Sequence, residues 1–348
     1  MNGTPPVSQE PESSSPARPG VLSRIGSAIS WRMVIRAVLS FGLVALILLV
    51  VLPKALGATI HDVGHAITKV STPDLLGLTV LWFVGLLIYS FVLTGSLKGL
   101  KTGQALTLNL TGSAVANVVP FGGAVGMSLN YYMLRAWNMS LTEFSSYTVV
   151  TNVWNVLMKL TMPAVALVFA MESGIVVSSK MATVVIIAVS LLMVVVVAIV
   201  TALVSARFAR KFARGLAGAI EGIARLFKKH ANREAIEAET LRTRDMVVAV
   251  VRVQWFRLST FMTAYGVAQA ALLYGCVQAV GLHVSPAAVL AAYAVERFLS
   301  MVPITPAGLG FTQAGAAGIL AVMGDGRVGS ALQIAQYDSR CAAAVFLY

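Results

Sequence analysis

Charge is what this 348-residue chain has least of: Asp, Glu, Lys and Arg together make up 11% of it. A soluble domain carries about a quarter, so the composition excludes an ordinary water-soluble fold. Acidic residues are the scarcer sign, 14 against 26 Lys and Arg, for a net charge of +12. That excess does not mark a nucleic-acid binder. The basic residues gather between apolar runs, which is the positive-inside pattern of a membrane protein. Cysteine occurs twice. Cys276 and Cys341 lie inside apolar runs, without metal-ligand or redox spacing, and read as packing residues. Of the four histidines, His61 and His65 in HDVGH could share a helix face as a zinc-protease pair does. Asp62 stands where that motif needs Glu and no third ligand is identifiable, so they read as a solvated interfacial pair. His230 and His283 sit alone, and neither a G-x-S-x-G elbow nor a P-loop is present. No enzyme activity, cofactor or metal is expected.

What the chain has is apolar length: 57% of its residues are hydrophobic and its mean hydropathy is +0.82. Residues 1–30, rich in Pro, Ser and Gly, read as a disordered cytoplasmic tail rather than a signal peptide. Residues 31–348 read as one transmembrane domain. About 20 apolar residues cross the hydrocarbon layer. On that ruler, full spans fall near 37–53, 75–96, 143–170, 181–204, 255–281 and 329–348. Pro163 predicts a tilt or kink in the third. Ile60, Val63, Ile67 and Val70 share one helix face and predict a short interfacial helix on the outer side.

Two pairs of stretches fall short of the ruler. Residues 105–119 and 124–137 flank PFGG, and residues 286–301 and 310–323 flank PITPAG. A helix that enters, breaks at Pro and Gly, and returns to the same side explains both. The breaks are Pro120, Gly122, Gly123 and Gly126 in the first, and Pro303, Thr305, Pro306, Gly308 and Gly310 in the second. Irregular backbone survives at depth only when buried in protein or facing a wet cavity. With Arg24, Arg32 and Arg36 holding the N-terminus inside, Lys98, Lys101 and the basic segment 205–245 also fall inside. That segment reads as an amphipathic helix, solvated or lying among anionic headgroups. An odd number of spans then separates the two broken hairpins, so they enter from opposite sides. Oppositely inserted like motifs mark an inverted-topology repeat, with substrate bound near the midplane.

Polar residues line the expected cavity. Asn109, Ser113 and Asn117 share one face before Pro120, and Thr148, Asn152, Asn155 and Lys159 form a stripe on the third span. Gln333, Gln336 and Arg340 lie on one side of the last, with Asp338 offset; Thr312 and Gln313 follow the second glycine break. The uncharged residues read first as hydrogen bonds between helices. Ions in hydrocarbon need a reason, so Lys159, Arg297, Arg340 and Glu296 read as a functional cavity. Glu296 and Arg297 are adjacent and are expected to point apart, which leaves Glu296 to pair with Lys159 or Arg340. The positive excess favours a phosphate-bearing ligand, helped by helix N-termini left open at the breaks.

The pair NVVPFGGAVG and ERFLSMVPITPAGLGFTQAG resembles the lysylphosphatidylglycerol synthase transmembrane-region family of flippase-like membrane proteins. The segment NVWNVLMKLTMP, with Asn155, Lys159 and Pro163, is similar to one branch of it. The resemblance implies movement of a polar lipid between leaflets. In fused members a separate soluble domain aminoacylates the lipid; no stretch outside the spans here is long enough for one, so aminoacyl transfer is not expected. Family members often carry Gly where Ala307 stands and Glu where Gln313 stands. The chain also stops in apolar sequence at Tyr348, which reads as an abbreviated or unfinished last span.

The expected protein is therefore an all-α, polytopic bundle of the cytoplasmic membrane, with two re-entrant hairpins in inverted repeats and its N-terminus inside. Its expected role is a flippase for a phospholipid or polyprenyl phosphate. Lys159, Arg297, Arg340, Glu296, Asn117 and Asn155 would form the binding site. Its partners would be membrane lipids with anionic headgroups and an enzyme of lipid synthesis. Lacking a nucleotide site, it would move lipid passively or by coupling to an ion or the membrane potential. The alternative is a non-transporting scaffold or accessory subunit of a lipid or cell-envelope pathway.

Overall fold

A computed structural model describes residues 60–118, 122–172, 179–226, 232–301, 310–323 and 331–348. The expected N-terminal tail and the span near 37–53 lie outside them, as do Pro120, Pro303, Thr305, Pro306 and Gly308. Every regular element among the described residues is a helix: α1 (Ile60–Thr68), α2 (Thr72–Ser96), α3 (Thr102–Val118), α4 (Gly122–Ala136), α5 (Leu141–Glu172), α6 (Ser179–Val204), α7 (Ala206–Leu226), α8 (Arg233–Ala279), α9 (Pro286–Leu299), α10 (Phe311–Met323) and α11 (Ala331–Leu347).

Several helix starts are written in the sequence. Ser71, Asn232 and Ser285 cap α2, α8 and α9, each accepting from the backbone N–H three residues on, at 3.1–3.2 Å. Pro73 and Pro286 occupy the first turns they open, where a missing N–H costs nothing.

Three described helices are long and apolar enough to cross a membrane: α2, α5 and α8. They pack against one another at the centre of the molecule. The fourth and sixth expected spans coincide with α6 and α11. The helix α5 runs unbroken through Pro163. The basic segment departs from expectation. Its second half does not form part of a separate surface helix but opens α8, whose 47 residues reach about 70 Å. The helix formers Glu234, Ala235, Glu237, Ala238 and Glu239 follow the Asn232 cap, so nothing stops the helix before the apolar run begins. Its first half, α7, lays Ala209, Ala213 and Ala217 against α8, and Arg214 meets Glu237 at 3.6 Å. Phe208, Phe212, Leu216 and Ile220 form a separate exposed apolar stripe on α7.

Two helical hairpins flank α5. One, α3 with α4, packs on α2 and α5; the other, α9 with α10, packs on α5, α8 and α11. Glycine makes the first hairpin possible. A Cβ on Gly126 would stand 2.8 Å from the carbonyl oxygen of Gly112, and one on Gly122 would fall 2.2 Å from that of Ala116. No neighbour restricts Gly123. Gly123 and Gly126 lie inside α4 and do not break a helix; Gly126 sets its packing on α3, and Gly122 alone stands at its start. The second hairpin closes on small residues too: Ala288, Ala292, Ala316, Ala317 and Ala321 belong to one core with Cys341, Ala342, Ala343 and Ala344. Small residues let backbones approach closely where lipid gives helices no hydrophobic reason to associate. Large apolar residues face outward instead, among them Leu76, Val80, Phe83, Met193 and Val267.

Candidate functional site

The two hairpins bring polar residues to different lengths of one face of α5, the α3/α4 hairpin to its first half and the α9/α10 hairpin to its second. On the α9/α10 side, Glu296 and Arg297 sit in the last turn of α9. They pair with each other, against expectation. The guanidinium folds back so that Nε and Nη2 donate to both carboxylate oxygens of Glu296, the Nη2–Oε1 contact measuring 2.7 Å. Backbone direction at adjacent helical positions does not decide the outcome for a side chain as long as arginine. Glu296 is only 8% exposed, and a carboxylate there without a partner would carry a heavy desolvation penalty.

Tyrosines surround the pair. The Arg297 guanidinium lies 5.4 Å from the centroid of the Tyr293 ring, a cation–π contact one helical turn away. It also approaches the Tyr348 hydroxyl at 3.4 Å, as does the Gln269 amide. The cavity beside them measures about 470 Å³ and is lined by Trp82, Gln269, Glu296, Arg297, Gly310, Gln313 and Tyr348. Its floor is the start of α10. Gly310 adopts a left-handed φ of +82°, and its N–H donates at 2.6 Å to Oε1 of Gln313, which also accepts from the Thr312 hydroxyl at 3.1 Å. Gln313 thus caps its own helix in the manner of a capping box. A glutamine supplies the same acceptor that a glutamate would.

Lys159 projects from α5 within electrostatic reach of both Arg297 and Glu296. It is half-buried, and among the described residues its ammonium has no hydrogen-bond or salt-bridge partner. One turn earlier, Asn155 donates to the Tyr89 hydroxyl at 2.9 Å and to the Thr151 carbonyl at 2.8 Å. The Tyr89 ring lies 4.8 Å from that of Tyr265, which in turn feels the charges of Arg297 and Glu296. Tyr89 and Asn155 also line a second cleft on the α3/α4 side. This space, about 240 Å³, is walled by Asn109, Gly112, Ser113, Asn130, Thr148 and Asn152. Among the described residues it contains no charged group, and the Asn130 Oδ1 is buried without a hydrogen-bond partner. Polar groups therefore run from an amide-lined cleft, past Asn155 and Lys159, to the Glu296–Arg297 cavity.

Not every expected residue joins this path. Arg340 is exposed and donates to the Gly281 carbonyl at 3.4 Å, at the turn after α8. The opposite face of α11, with Cys341, Ala344 and Val345, is the one that packs inward, so register carries Arg340 away from Lys159 and Arg297. Asp338 is buried but does not line the cavity. Asn117 lies in the last turn of α3, and its side chain falls outside the described part. Conversely, Tyr89, Tyr265, Tyr293, Tyr348 and Gln269 were not singled out from the sequence, where a tyrosine within an apolar run looks like packing. Two four-residue spacings were available as signals: Tyr265 with Gln269, and Tyr293 with Arg297.

Glu296 is the acid in the cavity, and both its oxygens are already engaged by Arg297. His61 and His65 stack 6.5 Å apart on α1, and among the described residues no three His, Cys, Asp or Glu side chains gather as metal ligands do. A family model described as lysylphosphatidylglycerol synthase TM region matches residues 33–333. No curated protein and no solved structure matches the chain.

Proposed function

The chain belongs to the lysylphosphatidylglycerol synthase TM region family, and we propose that it moves a phosphate-bearing polar lipid between membrane leaflets. The observation that carries this reading is the Lys159 ammonium, unpaired among the described residues and held half-buried within electrostatic reach of an ion pair that is already neutral. A bundle that needed only cohesion would gain nothing from a third charge in apolar surroundings, whereas a binding site for an anion needs one. In this reading the headgroup phosphate takes Lys159 as its first partner. Arg297 then turns part of its five-donor fork from Glu296 to the phosphate, which arginine's planar geometry suits. The amide cleft accepts the uncharged remainder of the headgroup, and the tails stay in lipid.

The two hairpins would act as the halves of an inverted repeat, entering from opposite sides with the N-terminus in the cytoplasm, in the cytoplasmic membrane. In this reading the protein is a transporter and not an enzyme. A non-transporting scaffold is the competing reading, favoured by the Glu296–Arg297 pair, which satisfies itself without a ligand.

Reconstitution of the purified chain into liposomes carrying headgroup-labelled lipids tests the proposal. The expected result is protein-dependent exchange of anionic phospholipids or polyprenyl phosphates, with zwitterionic lipids exchanged more slowly. No exchange across that panel would refute it.

A further inference from the structure

A second cavity, of about 830 Å³, opens between the end of α2, the α2–α3 turn, the start of α5 and the middle of α8. It shares no lining residue with the Lys159–Arg297 site. Along α2, Trp82 of the first site and Thr94 of this one are about 18 Å apart. Three cations line it: Lys98 and Lys101 from the turn, and Arg257 from α8. The turn presents both lysines because Gly99, between them, takes a left-handed φ of +87°. Arg257 is anchored by donating to the Thr94 hydroxyl at 2.9 Å. One carboxylate, Glu143, also lines the cavity, but it is committed to its own helix start, accepting from the Ser140 N–H at 2.6 Å and the Ser140 hydroxyl at 2.8 Å. The cavity therefore presents more positive charge than it neutralises.

Two further features point to an occupant. Ser146 lines the space at 1% exposure, and among the described residues its hydroxyl has no hydrogen-bond partner. A buried hydroxyl is ordinarily satisfied, by protein or by something bound. The rim, in contrast, is apolar: Phe91, 37% exposed, and Val253, 76% exposed, lie at the mouth. Phe91 is held in place by stacking on Phe261, 5.1 Å between centroids.

We infer that this cavity is a binding site for the phosphate group of a membrane phospholipid, with Lys98, Lys101, Arg257 and Ser146 around the phosphate and an acyl chain along Phe91 and Val253. Basic pockets between membrane helices recognise lipid headgroups in this way. A free phosphate would use the cations and the hydroxyl but has no use for the apolar mouth. The site does not depend on leaflet exchange and stands whether or not the protein transports.

Acetylation of the full-length protein in neutral detergent, read residue by residue by peptide mass, tests it. The probes are dioctanoyl phosphatidic acid, dioctanoylglycerol and inorganic phosphate at equal concentration. Phosphatidic acid is expected to slow acetylation of Lys98 and Lys101 at least fivefold while exposed Lys69 is unaffected. Arg257→Met should raise the lipid concentration needed about fivefold. Ser146→Ala should raise it about tenfold, and, as a smaller change, it serves if Arg257→Met lowers the yield of folded protein. Equal protection by dioctanoylglycerol, which has the acyl chains without the phosphate, would overturn the inference in favour of a merely apolar groove. Equal protection by inorganic phosphate would overturn it in favour of a free-anion site. Slowing at Lys69 as large as at Lys98 would reduce it to a general surface effect.

Discussion

Replacing Lys159 with methionine keeps the length of the side chain and removes its charge, and the structure gives the two consequences opposite signs. For folding, the ammonium is half-buried and without a partner among the described residues, while Arg297 and Glu296 already satisfy each other. Exchanging a partly desolvated ion for an apolar isostere is commonly neutral or stabilising, here by about 1 kcal/mol. For binding, the same change deletes a charge-assisted contact to phosphate worth about 1.5–3 kcal/mol, which is about 10- to 150-fold in affinity. Lys159→Met should therefore leave the unfolding midpoint in detergent unchanged or higher, and lower the exchange of anionic lipid in liposomes at least tenfold at sub-saturating lipid. A scaffold would fold and assemble as before, with no lipid exchange to lose. Exchange within twofold of the unsubstituted protein would refute the role given to Lys159, and so would a clear loss of stability.

Arg297→Met should behave in the opposite way on stability. It strands the buried Glu296 carboxylate at a cost of about 3–5 kcal/mol, and Arg297→Met/Glu296→Gln should recover most of that loss in thermal unfolding. At Gly126 a side chain would press on the Gly112 carbonyl; Gly126→Val should cost about 1–3 kcal/mol, whereas Gly123→Ala, with nothing near its Cβ, should not destabilise. Gln313→Glu keeps the acceptor for the Gly310 N–H but places a carboxylate in the cavity with Arg297. Its unfolding should be nearly unchanged while anionic-lipid exchange falls several-fold, and Gln313→Leu should lose the cap at a cost of about 1 kcal/mol.

Much of the architecture was legible before any coordinates. Apolar length located α2 and α5 within a few residues, the short stretches on either side of PFGG and PITPAG appear as the hairpin helices α3, α4, α9 and α10, and the face through Ile60, Val63 and Ile67 appears as α1. These features depend on local quantities, namely hydropathy over a window, helical period and capping residues. The start of α8 was misjudged because a charged stretch and an apolar stretch can share one uninterrupted helix when no Gly or Pro separates them. Gly123 and Gly126 were taken for breakers because composition does not distinguish a glycine that ends a helix from one inside it, such as Gly126, which lets two helices touch.

The sequence by itself determined that this is an all-helical membrane protein of a lipid-handling family, because transfer free energy and backbone satisfaction in hydrocarbon depend on composition and order along the chain. It also placed Lys159, Glu296 and Arg297 where ions are costly. Tertiary structure alone decided the partners: Arg297 folded onto Glu296, Arg340 turned away toward Gly281, Tyr293 and Tyr348 brought to one guanidinium, and Tyr89 set against Tyr265. Those outcomes depend on which face each helix buries and on side-chain reach. Both are fixed by packing between segments far apart in the chain.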